Sequence, residues 1–196
     1  LLAIFHAGIL YGQSMDELRN ADAITWFGVD FSEARFIGRY DFKSPRELKE
    51  KLIPAWNQVI LHEPEKYDIA TYFRKQKIEM ELGDAYDRNS KIDESVIIVG
   101  LEESDYVLNE EKIQDIISGY KAEYTGYGLV FIVESFNKPL EKGSVWITYF
   151  HIPTKQVMLT KRMSAEPMGF GLKNYWARIF YRVMQESETS LDRWFR

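Results

Sequence analysis

A carboxylate, an indole and a guanidinium are placed to meet on one face of a predicted meander near the carboxyl end of the sequence. Three apolar and β-branched runs separated by short turn segments are typical of three antiparallel strands. These runs are Leu129–Phe136, Ser144–Ile152 and Gln156–Met163. With turns centred near Leu140 and Thr154, cross-strand pairing puts Glu134, Trp146 and Arg162 in one row.

These three side chains are the predicted binding residues, and two interpretations of the row remain open. A carboxylate and a guanidinium beside an aromatic platform could hold a small polar ligand or a peptide. The same residues could instead form a surface ion pair with Trp146 packed under the two side-chain stems.

Acid–base catalysis has further candidates, which the sequence places apart. His151 falls on the opposite face of the meander from Glu134, and no Ser or Cys nucleophile motif accompanies it, so a triad is not indicated. Asp30 and Glu33 follow the first predicted strand, where many α/β proteins have their sites. A small hydrolase using Glu134, Asp30 or His151 is therefore the alternative to a non-catalytic binding protein.

No cofactor, metal site or nucleic-acid partner is predicted. Three His and no Cys cannot supply a recognisable zinc-ligand spacing. The acids between Asp84 and Glu94 lack the oxygen spacing and the central Gly of a calcium loop. A net charge of −5, with only a modestly basic carboxyl-terminal segment, is far from the clustered basic surface that binds phosphate backbones.

The elements that position these residues follow from periodicity and capping. Ala23–Phe31 is predicted to be an inner strand, because both of its faces are largely apolar. Ser44 caps a helix that carries Pro at its first position, and Pro54 must kink or restart that helix. The aperiodic polar stretch Gly83–Ser95 is predicted to be a loop. A final helix runs from about Leu172 to Glu186. Its apolar stripe is Leu172, Trp176, Ile179, Phe180, Val183 and Met184.

The order of these elements predicts an α+β fold in one domain, residues 14–196. Its sheet is expected to be mostly antiparallel, ending in the three-stranded meander, with helices covering it. Alternation along the second strand of the meander turns Ile147 and Tyr149 inward. We therefore expect both to contact the stripe of the final amphipathic helix, including Trp176 and Phe180.

Residues 1–13, LLAIFHAGILYGQ, resemble the apolar core of a signal peptide and are predicted to be its remnant. The alternative is an ordinary buried helix or strand. The signal-peptide interpretation predicts export to the periplasm or the extracellular space. No later stretch reaches about 18 apolar residues, so no membrane span is predicted.

Three segments carry a resemblance to a known family. They are GLVFIVESFNKPLEKGSVWITYFHIPTKQVMLTKRM, GFGLKNYW and SPRELKEKLIPAWNQ. The sequence from about Trp26 onward resembles a family of uncharacterised exported proteins of Bacteroidetes, which implies export but no particular activity. A looser likeness in strand order is to periplasmic domains such as the TolB amino-terminal domain and curli-export lipoproteins. The predicted function is a non-catalytic, envelope-associated binding or interaction module, whose partner is an envelope protein or a small polar ligand.

Overall fold

The computed structural model describes residues 15–196, and within them seven strands form one sheet. The strands are β1 (Ala23–Asp30), β2 (Arg35–Ile37), β3 (Lys77–Met80), β4 (Ile98–Val99), β5 (Tyr127–Asn137), β6 (Lys142–His151) and β7 (Gln156–Ala165). The predicted signal-peptide remnant, residues 1–13, lies outside the described residues.

The prediction of a mostly antiparallel α+β sheet is wrong, because the sheet is mostly parallel and the fold is α/β. β1 pairs in parallel with β3 and β5, and β2 pairs in parallel with β4 and β5. The path β3-β1-β5-β2-β4 is therefore parallel throughout. Only the meander is antiparallel, with β6 joining β5 to β7 as the apolar runs predict.

The error has a physical source in the shortest strands. Connections that contain helices lead from β1 to β3 and from β3 to β5. Crossovers of that kind return the chain in the same direction, so β3 and β5 flank β1 in parallel. β3 and β4 contain only four and two residues, too few to show an alternation. Strands this short carry no pattern that distinguishes parallel from antiparallel pairing.

Helices lie on both faces of the sheet. They are α1 (Ile53–His62), α2 (Ile69–Tyr72), α3 (Gly83–Ser90), α4 (Glu110–Ser118) and α5 (Leu172–Trp194), and residues 15–20 are also helical. α3 occupies most of the stretch that was predicted to be a loop. No helix of residues 15–196 is long and apolar enough to span a membrane.

The helix predicted at Ser44 is present and continues through Pro54. Ser44 Oγ accepts a hydrogen bond from the Glu47 amide at 3.2 Å. A π-helical turn, Leu48–Leu52, precedes α1, and the Ile53 amide donates to the Leu48 carbonyl five residues back. Because proline has no N–H, the ordinary helical bond cannot form at Pro54, and the wider turn accommodates this gap.

Two apolar clusters sandwich the sheet. On one face, α1, α2 and α5 pack on the inward residues of β1, β5 and β6, and Trp176 stacks on Phe136 with ring centroids 4.5 Å apart. The predicted neighbours Ile147, Tyr149, Trp176 and Phe180 all belong to this cluster. On the other face, α4 covers a smaller cluster that includes Trp146.

β3 lies beside β1, and β4 lies beside β2. Between β3 and β4 the end of β1 has no strand of residues 15–196 on its outer edge, and two side-chain amides take the place of one. Asn57 accepts a hydrogen bond from the Val29 amide at 2.8 Å and donates to the Val29 carbonyl at 3.0 Å. Asn89 accepts from the Phe31 amide at 2.7 Å and donates to the Val29 carbonyl at 2.9 Å. The amides thus supply the backbone partners that a neighbouring strand would otherwise provide.

Gly28 makes room for this arrangement. Its φ of +85° suits glycine, and a Cβ at this position would lie 2.8 Å from Asn57 Oδ1. The pairing of β1 with β5 shifts register between Trp26 and Val29. Specific contacts therefore stabilise the irregular end of β1, from Gly28 to Asp30, which leads directly into the candidate site.

Candidate functional site

The three predicted binding residues meet, with Glu134 at their centre. Trp146 lies opposite Arg162 in the β6–β7 register, as predicted, while Ile132, rather than Glu134, lies opposite Trp146 in the β5–β6 register. Glu134 falls at a register shift in β5. Its carboxylate accepts hydrogen bonds from Arg162 Nε at 2.9 Å, Arg162 Nη2 at 2.5 Å, Trp146 Nε1 at 3.0 Å and the Leu108 amide at 3.1 Å.

Burial decides what this cluster can contact. Glu134 is completely buried, Trp146 is 8% exposed, and only the Arg162 side chain, 36% exposed, reaches solvent. The hydrogen bonds to Glu134 raise the pKa of Arg162, so the guanidinium stays charged. These contacts fit an ion pair closed over an indole better than an open patch, and ligand binding by Glu134, Trp146 and Arg162 stays a prediction.

His151 lies far from the predicted acid–base residue Glu134. His151 pairs with Tyr127 at the start of β5, whereas Glu134 is near its other end. The His151 ring nitrogen Nδ1 is 2.9 Å from Thr154 Oγ1. Since His151 and Glu134 are separated along the sheet, they cannot act on one substrate bond.

Asp30 is the third predicted acid–base residue, and it is fully buried at the end of β1. Its carboxylate accepts hydrogen bonds from the Ser32 amide at 2.7 Å, Arg88 Nε at 3.0 Å and the Tyr120 hydroxyl at 3.1 Å. Burial, followed by the charge of Asp30, raises the pKa of Tyr120 well above its usual range. The phenol therefore stays protonated and donates a hydrogen bond to Asp30. Asp30 therefore holds neighbouring groups in place.

A cavity of about 330 Å³ lies beside these groups, beyond the carboxyl end of β1. We call it the β1 cavity. It is lined by Ser32, Glu33, Ala34, Arg35, Arg88, Lys91, Ile92, Asp93, Val96 and Ile97. Its volume lies at the lower end of the range typical of small-molecule sites, and the carboxyl ends of parallel strands are the usual place for such sites in α/β proteins.

Most charges of the β1 cavity are paired. Arg88 is bonded to Asp30, and its Nη2 also donates to Ser32 Oγ at 2.8 Å. Lys91 lies 2.6 Å from Asp87, and Glu33 lies 3.1 Å from Lys112. These pairs fix the wall of the cavity and cancel much of its charge.

Arg35 is the exception among the cations. Its Nη1 donates to the backbone carbonyls of Glu33 at 3.4 Å and Ala34 at 3.2 Å, and its guanidinium carbon lies 4.8 Å from the centroid of the Tyr106 ring. Within residues 15–196, no carboxylate forms an ion pair with Arg35. The cavity thus contains a guanidinium that is fixed in position and has no ion-pair partner among residues 15–196.

Sequence reasoning identified Asp30 and Glu33 by position and missed Arg35, Arg88 and the Asn pair. α3 carries Arg88 and Asn89, and its buried residues are Asp84, Ala85 and Asn89. Because two of these three are polar, the helix shows no apolar stripe. The spacing of Leu82, Ala85 and Asn89 was the only helical signal, and it requires treating Asn as a buried residue.

No metal centre is formed by the residues that the structure describes, since no three of their His, Asp and Glu side chains are grouped closely enough. The acids of the predicted loop have other partners. Asp84 accepts hydrogen bonds from the amides of Lys121 and Ala122 at 2.8 and 2.9 Å, and Asp87 pairs with Lys91 and Lys121.

Comparisons with known proteins add no class to this α/β fold and its cavity. No protein-family model matches the sequence, and no curated protein is significantly similar to it. The functional conclusion therefore rests on the geometry and charges of the β1 cavity.

Proposed function

We propose that this chain is a non-catalytic binding module whose ligand is a small anion held in the β1 cavity. The observation that carries the proposal is the Arg35 guanidinium, which lines the cavity without a carboxylate partner among the described residues. A guanidinium presents paired N–H donors that match carboxylate and phosphate oxygens. An anion of the ligand would supply the missing counter-charge.

The surroundings of Arg35 support binding because they are already ordered. Tyr106 stacks on the guanidinium, and its hydroxyl donates to the Glu33 carbonyl at 2.8 Å. Arg88 is fixed by its hydrogen bonds to Asp30 and to Ser32. A site that is fixed before binding loses less conformational entropy when the ligand arrives.

Export to the periplasm or the extracellular space is part of the same proposal. It is supported by the apolar segment at residues 1–13 and by the resemblance to exported proteins. The sequence suggested an envelope protein or a small polar ligand as the partner. A cavity of about 330 Å³ favours the small ligand.

Titration with sodium acetate and with inorganic phosphate, followed by backbone-amide NMR, tests the proposal. We expect saturable shifts centred on Ser32, Arg35 and Arg88 with at least one of the two anions. Arg35→Gln should abolish these shifts, while Arg182→Gln, on the exposed face of α5, should leave them unchanged. Shifts spread over the surface, or equal shifts in the Arg35→Gln variant, would contradict an anion site in the β1 cavity.

A further inference from the structure

The β1 cavity also contains an acid, Asp93, with one carboxylate oxygen to which no residue of 15–196 donates a hydrogen bond. Asp93 lines the cavity, and Asp93 Oδ1 accepts hydrogen bonds from the Ser95 amide at 2.8 Å and the Ser95 hydroxyl at 2.7 Å. The other carboxylate oxygen, Oδ2, accepts no hydrogen bond from residues 15–196. The bonds from Ser95 lower the pKa of Asp93, so its carboxylate is ionised at neutral pH.

Pairing off the remaining charges leaves one group of each sign. Arg88 is bonded to Asp30, Lys91 to Asp87 and Glu33 to Lys112. Of the charged residues that line the β1 cavity, Arg35 and Asp93 are then the two without an ion pair among the described residues. Asp93 is exposed to solvent, and the nearby charge of Lys49, which lies 3.9 Å from Glu94, also acts on it. A ligand that satisfies both Arg35 and Asp93 must carry an anionic and a cationic group.

Apart from Ser32, the rest of the lining is apolar, and Val96 is the exposed member of it. Ala34, Ile92, Val96 and Ile97 contribute to the wall, and the Val96 side chain is 44% exposed. Aliphatic groups of a ligand would bury part of this surface, and burial of apolar area is favourable by about 25 cal/mol per Å². The cavity therefore suits a short aliphatic skeleton between or beside two opposite charges.

We propose that the ligand is a zwitterion of the aliphatic amino-acid class. Its carboxylate binds Arg35, its ammonium group binds Asp93, and its side chain lies against Val96 and Ile97. This inference rests on the proposed function, because it assigns the anion of the β1 cavity to the ligand's carboxylate. It adds a role for Asp93, which a simple anion would not use.

Three matched probes separate the contributions: L-leucine, 4-methylpentanoate, which is the same skeleton without the amino group, and 3-methylbutylamine, which lacks the carboxylate. Isothermal titration calorimetry should find the tightest binding for leucine. Asp93→Asn keeps an oxygen for the Ser95 bonds and should weaken leucine about tenfold or more, with 4-methylpentanoate unchanged. Arg35→Gln should remove binding of both, and Arg35→Lys should retain part of it because the charge remains.

Asp115→Asn, on the exposed side of α4, is the matched control and should bind leucine like the native protein. Thermal melting of each variant confirms that it is folded. If 4-methylpentanoate binds as tightly as leucine and Asp93→Asn has no effect, the zwitterion is excluded while the anion site stands. If neither leucine nor 4-methylpentanoate binds in the β1 cavity, the proposed anion site is also wrong. The same holds if 3-methylbutylamine binds as tightly as leucine.

Discussion

At Glu134, a completely buried carboxylate is stabilised by a guanidinium, an indole N–H and a backbone amide. Burying a charge is costly unless it is paired and hydrogen-bonded, and here every contact to the carboxylate is a donor. The two partners differ in burial, because the Arg162 side chain is partly exposed whereas Glu134 is fully buried. Removing the exposed partner leaves the buried one uncompensated.

Arg162→Gln should therefore destabilise the protein by about 2–3 kcal/mol. This is below the usual 3–5 kcal/mol for a fully buried pair, because the Arg162 side chain is 36% exposed and solvent screens part of the interaction. Urea unfolding at neutral pH measures the loss. Arg182→Gln, at an exposed position with no ion pair to any residue of 15–196, should change stability by less than about 0.5 kcal/mol. Equal small losses in both variants would show that Glu134 is not dependent on Arg162.

At the level of elements, regular alternation was the most informative property of the sequence. In the meander, long strands with β-branched and aromatic residues revealed the hairpins and the Trp146–Arg162 register, and in α5 a strict apolar stripe revealed the docking face. The row containing Glu134 was also predicted, although the residue opposite Trp146 is Ile132, two positions before Glu134, and β5 shifts register at Glu134.

The helix α3 and the parallel pairing of the shortest strands could not be predicted, because α3 buries polar groups and those strands are too short to show how they pair. β4 has only two residues, and α3 buries Asp84 and Asn89 in place of an apolar stripe. The β1 cavity depends on both, since Arg88 is on α3 and the segment before β4 lines the wall. Its residues come from separate parts of the chain, and no local pattern records that they meet.

The docking of α5 makes a prediction about Trp176, which stacks on Phe136 and lies 5.6 Å from the Phe42 ring. Trp176→Ala would leave a large cavity in a fully buried position and should cost about 3–5 kcal/mol. Denaturant melts provide the measurement, with Lys173→Ala one turn earlier as the exposed control. A loss as small as that of the control would mean that α5 does not dock through this stripe.

For the whole molecule, the buried tyrosines determine how stability changes in alkali. Tyr149 is fully buried, and within residues 15–196 its hydroxyl has no hydrogen-bond partner. Burial raises the pKa of Tyr149 above its usual value, and burial together with Asp30 raises that of Tyr120. Because the folded pKa values exceed the unfolded value of about 10, these groups favour folding below pH 10. The unfolded state ionises first above pH 10, and stability falls from there.

Tyr149→Phe separates this effect from hydrogen bonding. It removes an unsatisfied hydroxyl, so stability at neutral pH should be unchanged or rise by up to about 1 kcal/mol, and the loss above pH 10 should become shallower. Tyr120→Phe also removes an ionisable group but breaks a bond to Asp30, and it should destabilise the protein at neutral pH. Urea melts between pH 7 and 11 measure both variants. A marked loss in Tyr149→Phe at neutral pH would indicate that its hydroxyl has a partner.

The amide pair at the edge of β1 also makes the site sensitive to chemical ageing. Hydrolytic loss of ammonia from Asn89 would replace its Nδ2 donor by a carboxylate oxygen facing the Val29 carbonyl, now 2.9 Å away. Two acceptors would then oppose each other in a buried position, which is unfavourable. Asn89→Asp imitates this change, and we expect weaker protection of the Phe31 amide against hydrogen exchange. Deamidation of one side chain would loosen the backbone next to Asp30 and Arg88, so aged samples should lose ligand affinity before they lose their fold.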